Sequence, residues 1–536
     1  MTGLNTIDWL VVGLYFAFLF GIALWVILKK QRNTEDYFLA GRDVGWFVVG
    51  ASIFASNIGS EHIVGLAGTG ASDKMPLLIY ELHAWLVLML GWIFLPFYAR
   101  SNVFTMPEFL EKRFSSQARW FLSIFSLAGY VLTKISVSVY AGGVVIESLL
   151  GINFWYGALG TVVLTGFYTV LGGMRAVVYT ETMQTIVLVL GAAVLTFIGL
   201  NEIGGWGGLR EAVGADHFDM WRPASDPVYP WPSLLFGSTI VGIWYWCTDQ
   251  YIVQRALTAK NIKEGRRGAI WGGFLKLMPV FIFLIPGAIA LGLAKTGKLE
   301  LPSSDMAFPT LVQHLLPTGL RGLVAAGLFA ALMSSLASVF NSCSTLFTVD
   351  IYKKLKPEAP ENELVNVGRI ATTIVVILGI AWIPVMKNIS GVLYEYLQSV
   401  QAYIAPPITA IFLLGIFSKR INAKGAMATL IAGLILGAFR LVLEINKDGL
   451  SGFLFWFADV SFLNFAVYMF LFCVALTVIV SLLTEKPAEE KIQGLTFSTL
   501  TAEDRLMNKA SYNLWDILAS LIILGIVIGI MIYFSG

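Results

Sequence analysis

The chain has 536 residues, of which 57% are hydrophobic and only 13% charged. Soluble surfaces carry roughly 25% charge, so most of this surface must face something other than water, and domain-length rules for soluble proteins do not apply. The net charge of +2 gives no basis for a nucleic-acid partner, and Cys247, Cys343 and Cys473 all fall in apolar runs without the spacing of a disulfide or metal framework.

Runs of about 20 apolar residues, enough to cross a bilayer core as a helix, recur along the whole chain. They are Ile7–Leu28, Trp46–Gly70, Pro76–Tyr98, Trp120–Leu150, Phe154–Leu171, Glu181–Leu200 and Pro232–Cys247. Then come Ala269–Lys295, Leu323–Phe347, Arg369–Pro384, Val392–Phe417, Gly425–Leu443, Phe462–Leu483 and Leu514–Phe534. The first lacks a basic leader and a cleavage site, and reads as a retained helix. The predicted fold class is an all-α integral membrane protein of about fourteen transmembrane helices. Alternate loops are rich in Lys and Arg, from Lys29, Lys30, Arg32 and Arg42 to Lys486, Lys491, Arg505 and Lys509. The positive-inside rule puts these in the cytoplasm, and both termini outside the plasma (inner) membrane of the cell.

Two spans read as interrupted. The second holds Ser52, Ser56, Asn57, Gly59, Ser60, Glu61, His62, Gly65, Gly68 and Gly70, a poor continuous helix in lipid. The seventh is short and holds Pro232, Gly237, Ser238, Thr239 and Gly242 before Trp244-Tyr245-Trp246. Counted from the second span, these are the first and sixth of ten. Such a pair points to a midplane binding site in an inverted-repeat transporter. The expected division is 1–44 (extra helix and cytoplasmic loop), 45–231 (first repeat with outer loop), 232–424 (second repeat) and 425–536 (three accessory helices). The Gly-, Pro- and Trp-rich loop Asn201–Trp231 is a candidate lid or a plain connector.

Ionisable residues at membrane depth are functional candidates: Glu61, His62, Glu81, His83, Glu181, Asp249, Lys276 and Glu395. Glu181, Asp249 and His83 lie near span ends and are expected to reach the interface. Glu81 and Lys276 lie deeper, as a buried ion pair or as hydrogen-bonding groups for a polar solute. A neutral sugar needs amides, carboxylates and a cationic donor for its hydroxyls, plus an aromatic plane. Asn57, His62, Glu81, Lys276 and Gln398 supply the former, Tyr245 and Trp246 the latter. Sodium needs oxygen ligands. Ala331, Ser334 and Ser335 fall at i, i+3 and i+4 on one helix face, and the break near Ala55 and Ile58 offers carbonyls; small residues at this spacing also serve close helix packing.

The stretch Gly50–Gly70 closely resembles the opening core helix of sodium/glucose cotransporters in the solute:sodium symporter family. So do Trp244–Arg255, Leu275–Pro279, Ser334–Ser342, Thr345–Tyr352 and the signature Gly415–Ala426. The resemblance spans about Thr34 to Ala426. It implies a five-plus-five inverted-repeat fold, with broken first and sixth core helices, working by alternating access. By the same resemblance Asn57, His62, Glu81, Tyr245, Trp246, Lys276 and Gln398 are sugar-site positions. Tyr245 doubles as inner gate, Leu66, Tyr80 and Tyr394 form the outer gate, and Ala55, Ile58, Ala331, Ser334 and Ser335 hold sodium, the coupling ion. Glu181 and Ser338 mark a possible second sodium region. There Ala337 stands in place of the Thr of two-sodium members, which implies one sodium per sugar. Ala84 and Gly242 lack the polar side chains of the bacterial galactose branch.

The expected function is sodium-coupled symport of a glucose- or galactose-type sugar, with the bilayer, sodium and sugar as partners. The alternative within the family is inositol or another small polar solute. An acid carrier should show a mid-span Arg, and none is read. A channel would not need the converging polar set, a scaffold would not need Glu and Lys at membrane depth, and no nucleophile–base pair or phosphate loop suggests an enzyme.

Overall fold

A computed structural model describes residues 4–29, 33–59, 61–386 and 393–535. Among these the chain is helical, without a strand. Among the described residues, eleven helices are long and apolar enough to cross a membrane, or twelve if one bent pair counts as a single span. Helix α1 (Thr6–Ile27) starts on a capping box, in which Asn5 accepts from the Asp8 amide and Asp8 answers to the Asn5 amide. The Asp8 carboxylate also accepts from the amides of Gly319 and Gly322, at 2.6 and 2.9 Å.

The bent pair is the predicted interrupted span: α2 (Trp46–Asn57) and α3 (His62–Gly70) meet at 70°. Glycines let both halves lie close to their neighbours, as small residues do in lipid. A Cβ on Gly50 would lie 2.6 Å from the Gly268 carbonyl oxygen, and one on Gly287 only 1.9 Å from that of Ala67. Next come α4 (Met75–Arg100) and α5 (Ser116–Glu147).

The stretch α6 (Phe154–Glu202) is a pair of helices joined at a corner, covering the fifth and sixth predicted spans over 49 residues. At 1.5 Å per residue that is about 74 Å, over twice a bilayer core of about 30 Å. Its one non-helical residue is Gly173, at φ 55° and ψ −155°, where a Cβ would meet the Tyr37 carbonyl oxygen at 2.6 Å. Only glycine fits that corner.

The seventh span extends beyond its expected end at Cys247. Helix α7 (Trp231–Ile243) runs into a wide turn at Trp244–Thr248, breaks at the extended residue Asp249, and resumes as α8 (Gln250–Leu257). Helices α9 (Ile262–Lys295), α10 (Leu320–Leu355), α11 (Glu361–Met386), α12 (Leu393–Phe417), α13 (Ala423–Ile445), α14 (Phe462–Leu483) and α15 (Leu514–Tyr533) complete the bundle. The loop Asn201–Trp231 is itself ordered, with a short helix at Gly205–Val213. It is tied to α15 by the Met220 amide on the Phe534 carbonyl at 2.9 Å, and its His217 ring lies 2.9 Å from the Gly70 carbonyl at the end of α3.

One expectation is overturned. His83, Glu181 and Asp249 do not reach the interface: they are 3%, 0% and 4% exposed. Each has buried polar or aromatic neighbours that draw it inward.

Candidate functional site

Breaking a helix in lipid leaves carbonyls without their amide partners, at a cost of several kcal/mol each. At the α2–α3 break three hydroxyls take over. Ser334 Oγ lies 2.9 Å from the carbonyls of both Ala55 and Ala331, Ser335 Oγ donates to the Ile58 carbonyl at 3.0 Å, and the Tyr251 hydroxyl donates to the Ser56 carbonyl. Ala55, Ile58, Ala331, Ser334 and Ser335, all buried, are thus gathered at one place on α2 and α10. Three carbonyls and two hydroxyls make an all-oxygen donor set without a carboxylate, suited to a hard monovalent cation.

Beside the break, α2, α3, α4, α7, α9 and α12 enclose a cavity of about 60 Å³. All seven predicted sugar-site residues line it: Asn57, His62, Glu81, Tyr245, Trp246, Lys276 and Gln398. Glu81 and Lys276 meet the two readings of them together. They pair at 2.6 Å and also face the cavity. The Lys276 ammonium lies 5.5 Å from the Trp246 ring centroid, and His62 Nε2 lies 3.6 Å from Glu81 Oε1. Among the described residues, Glu81 Oε1, Glu61 Oε2, the Tyr80 hydroxyl and His83 Nε2 are buried without a hydrogen-bond partner. Four such atoms around one cavity are costly unless a polar solute meets them.

The second break carries its own polar cluster. Asp249 accepts from the Lys134 ammonium at 2.6 Å and from the Tyr130 hydroxyl. The Lys134 ammonium lies 3.8 Å from the Tyr251 ring centroid and 4.7 Å from that of Tyr245. The Cys247 carbonyl, freed by the break, accepts from the Tyr98 hydroxyl at 2.7 Å. Further along, the buried Glu181 carboxylate accepts from Ser52, from Ser338 at 2.5 Å and from Ser56 at 3.3 Å, with Arg255 Nη2 3.4 Å away. Ala337 is buried nearby and brings no hydroxyl.

Of the gate positions, Tyr80 lines the cavity, while Leu66 is buried on α3 outside its lining. The side chains of Tyr394 and Glu395 lie outside the described residues. Glu61, His83 and Gln401 also line the cavity, although the sequence reading gave them no place in the site. Lys134 was missed altogether. The signal was present, since Lys134 is a charge in the middle of an apolar run, the criterion that picked out Lys276. Cys247, Cys343 and Cys473 are buried free thiols.

Comparisons with known proteins bear on the family and the fold. The profile of the Sodium:solute symporter family matches residues 37–433. The chain is similar to sodium/glucose cotransporter 2 of Rattus norvegicus, at 41% identity over 92% of this chain and 81% of that one. It is likewise similar to sodium/myo-inositol cotransporter 2 of Bos taurus, at 40% identity over 92% of this chain and 79% of that one. Its fold matches a sodium-coupled sialic acid symporter in a substrate-bound, outward-open state, with a TM-score of 0.78 and 23% identity over 90% of this chain and 98% of the other.

Proposed function

The chain belongs to the Sodium:solute symporter family, and on that premise we propose that it is a sodium-coupled symporter importing a small neutral sugar of the glucose or galactose type by alternating access. The observation that carries the sugar reading is the convergence of Asn57, His62, Glu81, Tyr245, Trp246, Lys276 and Gln398 on one buried cavity. These groups suit a ring of hydroxyls with one apolar face. Among the described residues of the lining, the one lysine or arginine, Lys276, is already paired with Glu81, which disfavours an acidic solute. Myo-inositol is the second reading, because a cyclic polyol presents a similar ring of hydroxyls and a relative at 40% identity is named for it. Counterflow in proteoliposomes with labelled glucose, galactose and myo-inositol, with and without sodium, tests both. Sodium-independent counterflow, or none with any of the three, refutes the reading.

In this reading sodium is co-transported cargo held by Ala55, Ile58, Ala331, Ser334 and Ser335. Both Ser334 and Ser335 hydroxyls already lean on α2 carbonyls, and turning their lone pairs to a cation keeps the same five oxygens. Ala55 and Ile58 flank Asn57 in the chain, so one break serves both cargoes. Sodium that favours one arrangement of the break then favours one arrangement of the sugar site, which is the differential affinity that coupling requires. Tyr245 acts as inner gate and Leu66, Tyr80 and Tyr394 as outer gate. One sodium accompanies each sugar: the carboxylate of the candidate second region, Glu181, already has Arg255 beside it, and Ala337 withholds an oxygen.

Counting α6 as two spans about Gly173 and adding α7 gives fourteen, which places both termini outside the plasma membrane with the basic loops in the cytoplasm. The ten spans from α2 to α12 form two inverted halves, within 45–231 and 232–424. Residues 1–44 and 425–536 are accessory.

A further inference from the structure

We propose that the cleft between the Met106–Arg113 helix, the start of α13 and the segment after α14 is a binding site for a phosphate group. It is a cavity of about 180 Å³, separate from the sugar cavity, and the proposal does not rest on the transport reading.

Its inner wall is Arg113, which is fully buried. Nε donates to the Gly415 carbonyl at 2.7 Å, and Nη2 to those of Ser418 and Ile421 at 2.8 and 3.0 Å, so the guanidinium caps the end of α12. Among the described residues Nη1 has no hydrogen-bond partner and no carboxylate pairs with Arg113, whose guanidinium lies 4.6 Å from the Phe114 ring centroid. A buried guanidinium without a counter-charge is costly. Burial pulls its pKa down to about 10, so it remains a cation at neutral pH.

The first turn of α13, at Ala423 and Lys424, lines the same cavity. The Asn422 side chain accepts from the Gly425 amide at 2.9 Å, which leaves the earlier amides of this 23-residue helix without a partner inside the helix. Such a terminus favours an anion. Lys424, Lys486 and Lys491 complete the lining, against a single carboxylate, Glu485. Lys491 Nζ is held by the Glu111 carbonyl at 2.9 Å, whereas Lys424 and Lys486 form no ion pair among the described residues. The unspent buried donor, the helix terminus and the free ammonium groups together suit a dense oxyanion. The volume suits one phosphate group, either the headgroup of an anionic lipid or the free ion. Bound there, it bridges Arg113, the residue that caps the end of α12, to the first turn of α13.

The test uses full-length protein in phosphatidylcholine nanodiscs, with melting temperature as readout. One arm titrates inorganic phosphate against chloride at matched ionic strength; the other replaces part of the lipid with phosphatidic acid. The variant Lys424→Glu/Lys486→Glu leaves Arg113 and its cap on α12 intact. A rise in melting temperature with phosphate, with half-saturation raised about tenfold in the variant, supports the free ion as ligand. A rise with phosphatidic acid alone, again weakened in the variant, supports a lipid headgroup. No rise in either arm, an equal rise with chloride, or an equal rise in the variant overturns the proposal.

Discussion

The His83 imidazole fills the space that a side chain at Gly242 would need: a Cβ there would lie 2.8 Å from both Cε1 and Nδ1 of the ring, and 2.3 Å from Leu86 Cδ1. The missing side chain at 242 is therefore coupled to a histidine that lines the sugar cavity. Overpacking of this kind costs about 1–3 kcal/mol. Gly242→Ala is expected to displace His83 and weaken sugar binding by about tenfold, which is ~1.4 kcal/mol, while sodium binding is retained. Equilibrium binding of labelled sugar to the purified variant measures this; unchanged affinity would show that His83 does not shape the site.

Lys276 and Gln398 should behave differently although both line the cavity. Lys276→Ala leaves Glu81 buried and unpaired, a change that costs about 3–5 kcal/mol, so it is expected to lower stability as well as sugar affinity. Gln398→Ala removes only hydrogen bonds to solute, worth about 0.5–1.5 kcal/mol each, and should leave the melting temperature in place. The double change Glu81→Gln/Lys276→Gln is expected to recover stability without recovering sugar binding. Thermal melts beside binding isotherms separate the two effects, and normal sugar affinity in all three proteins would remove these residues from the site.

The break offers a matched pair of hydroxyl deletions. Ser335→Ala and Tyr251→Phe each strip a donor from a buried carbonyl, Ile58 and Ser56 respectively, at about 1–3 kcal/mol. Both should lower stability. Only Ser335→Ala should raise the sodium concentration needed for uptake, because Ser335 belongs to the proposed ion set and Tyr251 does not. An equal sodium dependence in the two variants contradicts that assignment.

Reversal potentials in proteoliposomes should report one sodium per sugar. Each sodium moved down 100 mV adds about 2.3 kcal/mol of driving force, so one-ion and two-ion carriers are well separated. A ratio of two would mean that Glu181 and Ser338 hold a second ion despite Arg255 and without an oxygen from residue 337.

Much of this architecture was legible in the sequence because lipid imposes a length. Phe462–Leu483 was placed to the residue, and Ser56, Asn57 and Gly59 betrayed the first break because such residues make poor continuous helix. The second break was read only halfway. Gln250, Gln254 and Arg255 look like loop, yet all three are buried and hydrogen-bonded within the bundle. Proximity to a span end misled for Asp249, since hydropathy cannot reveal that Lys134, 115 positions away, supplies a counter-charge. The gap between the fifth and sixth spans was legible, but its form, a one-residue corner at Gly173, was not, because that corner depends on the Tyr37 backbone pressing against it.

The repair of the first break has a consequence for biogenesis. The hydroxyl that satisfies the Ile58 carbonyl belongs to Ser335, 277 residues later, and the one on Ser56 to Tyr251, 195 residues later. At about 5–20 residues per second of synthesis, the Ile58 carbonyl waits roughly 15–55 s for its partner to be made. During that interval α2 and α3 sit beside the ribosome with carbonyls that lipid cannot satisfy. The nascent chain must keep this joint wet, or bent into the interface, until the second half of the molecule emerges to close it.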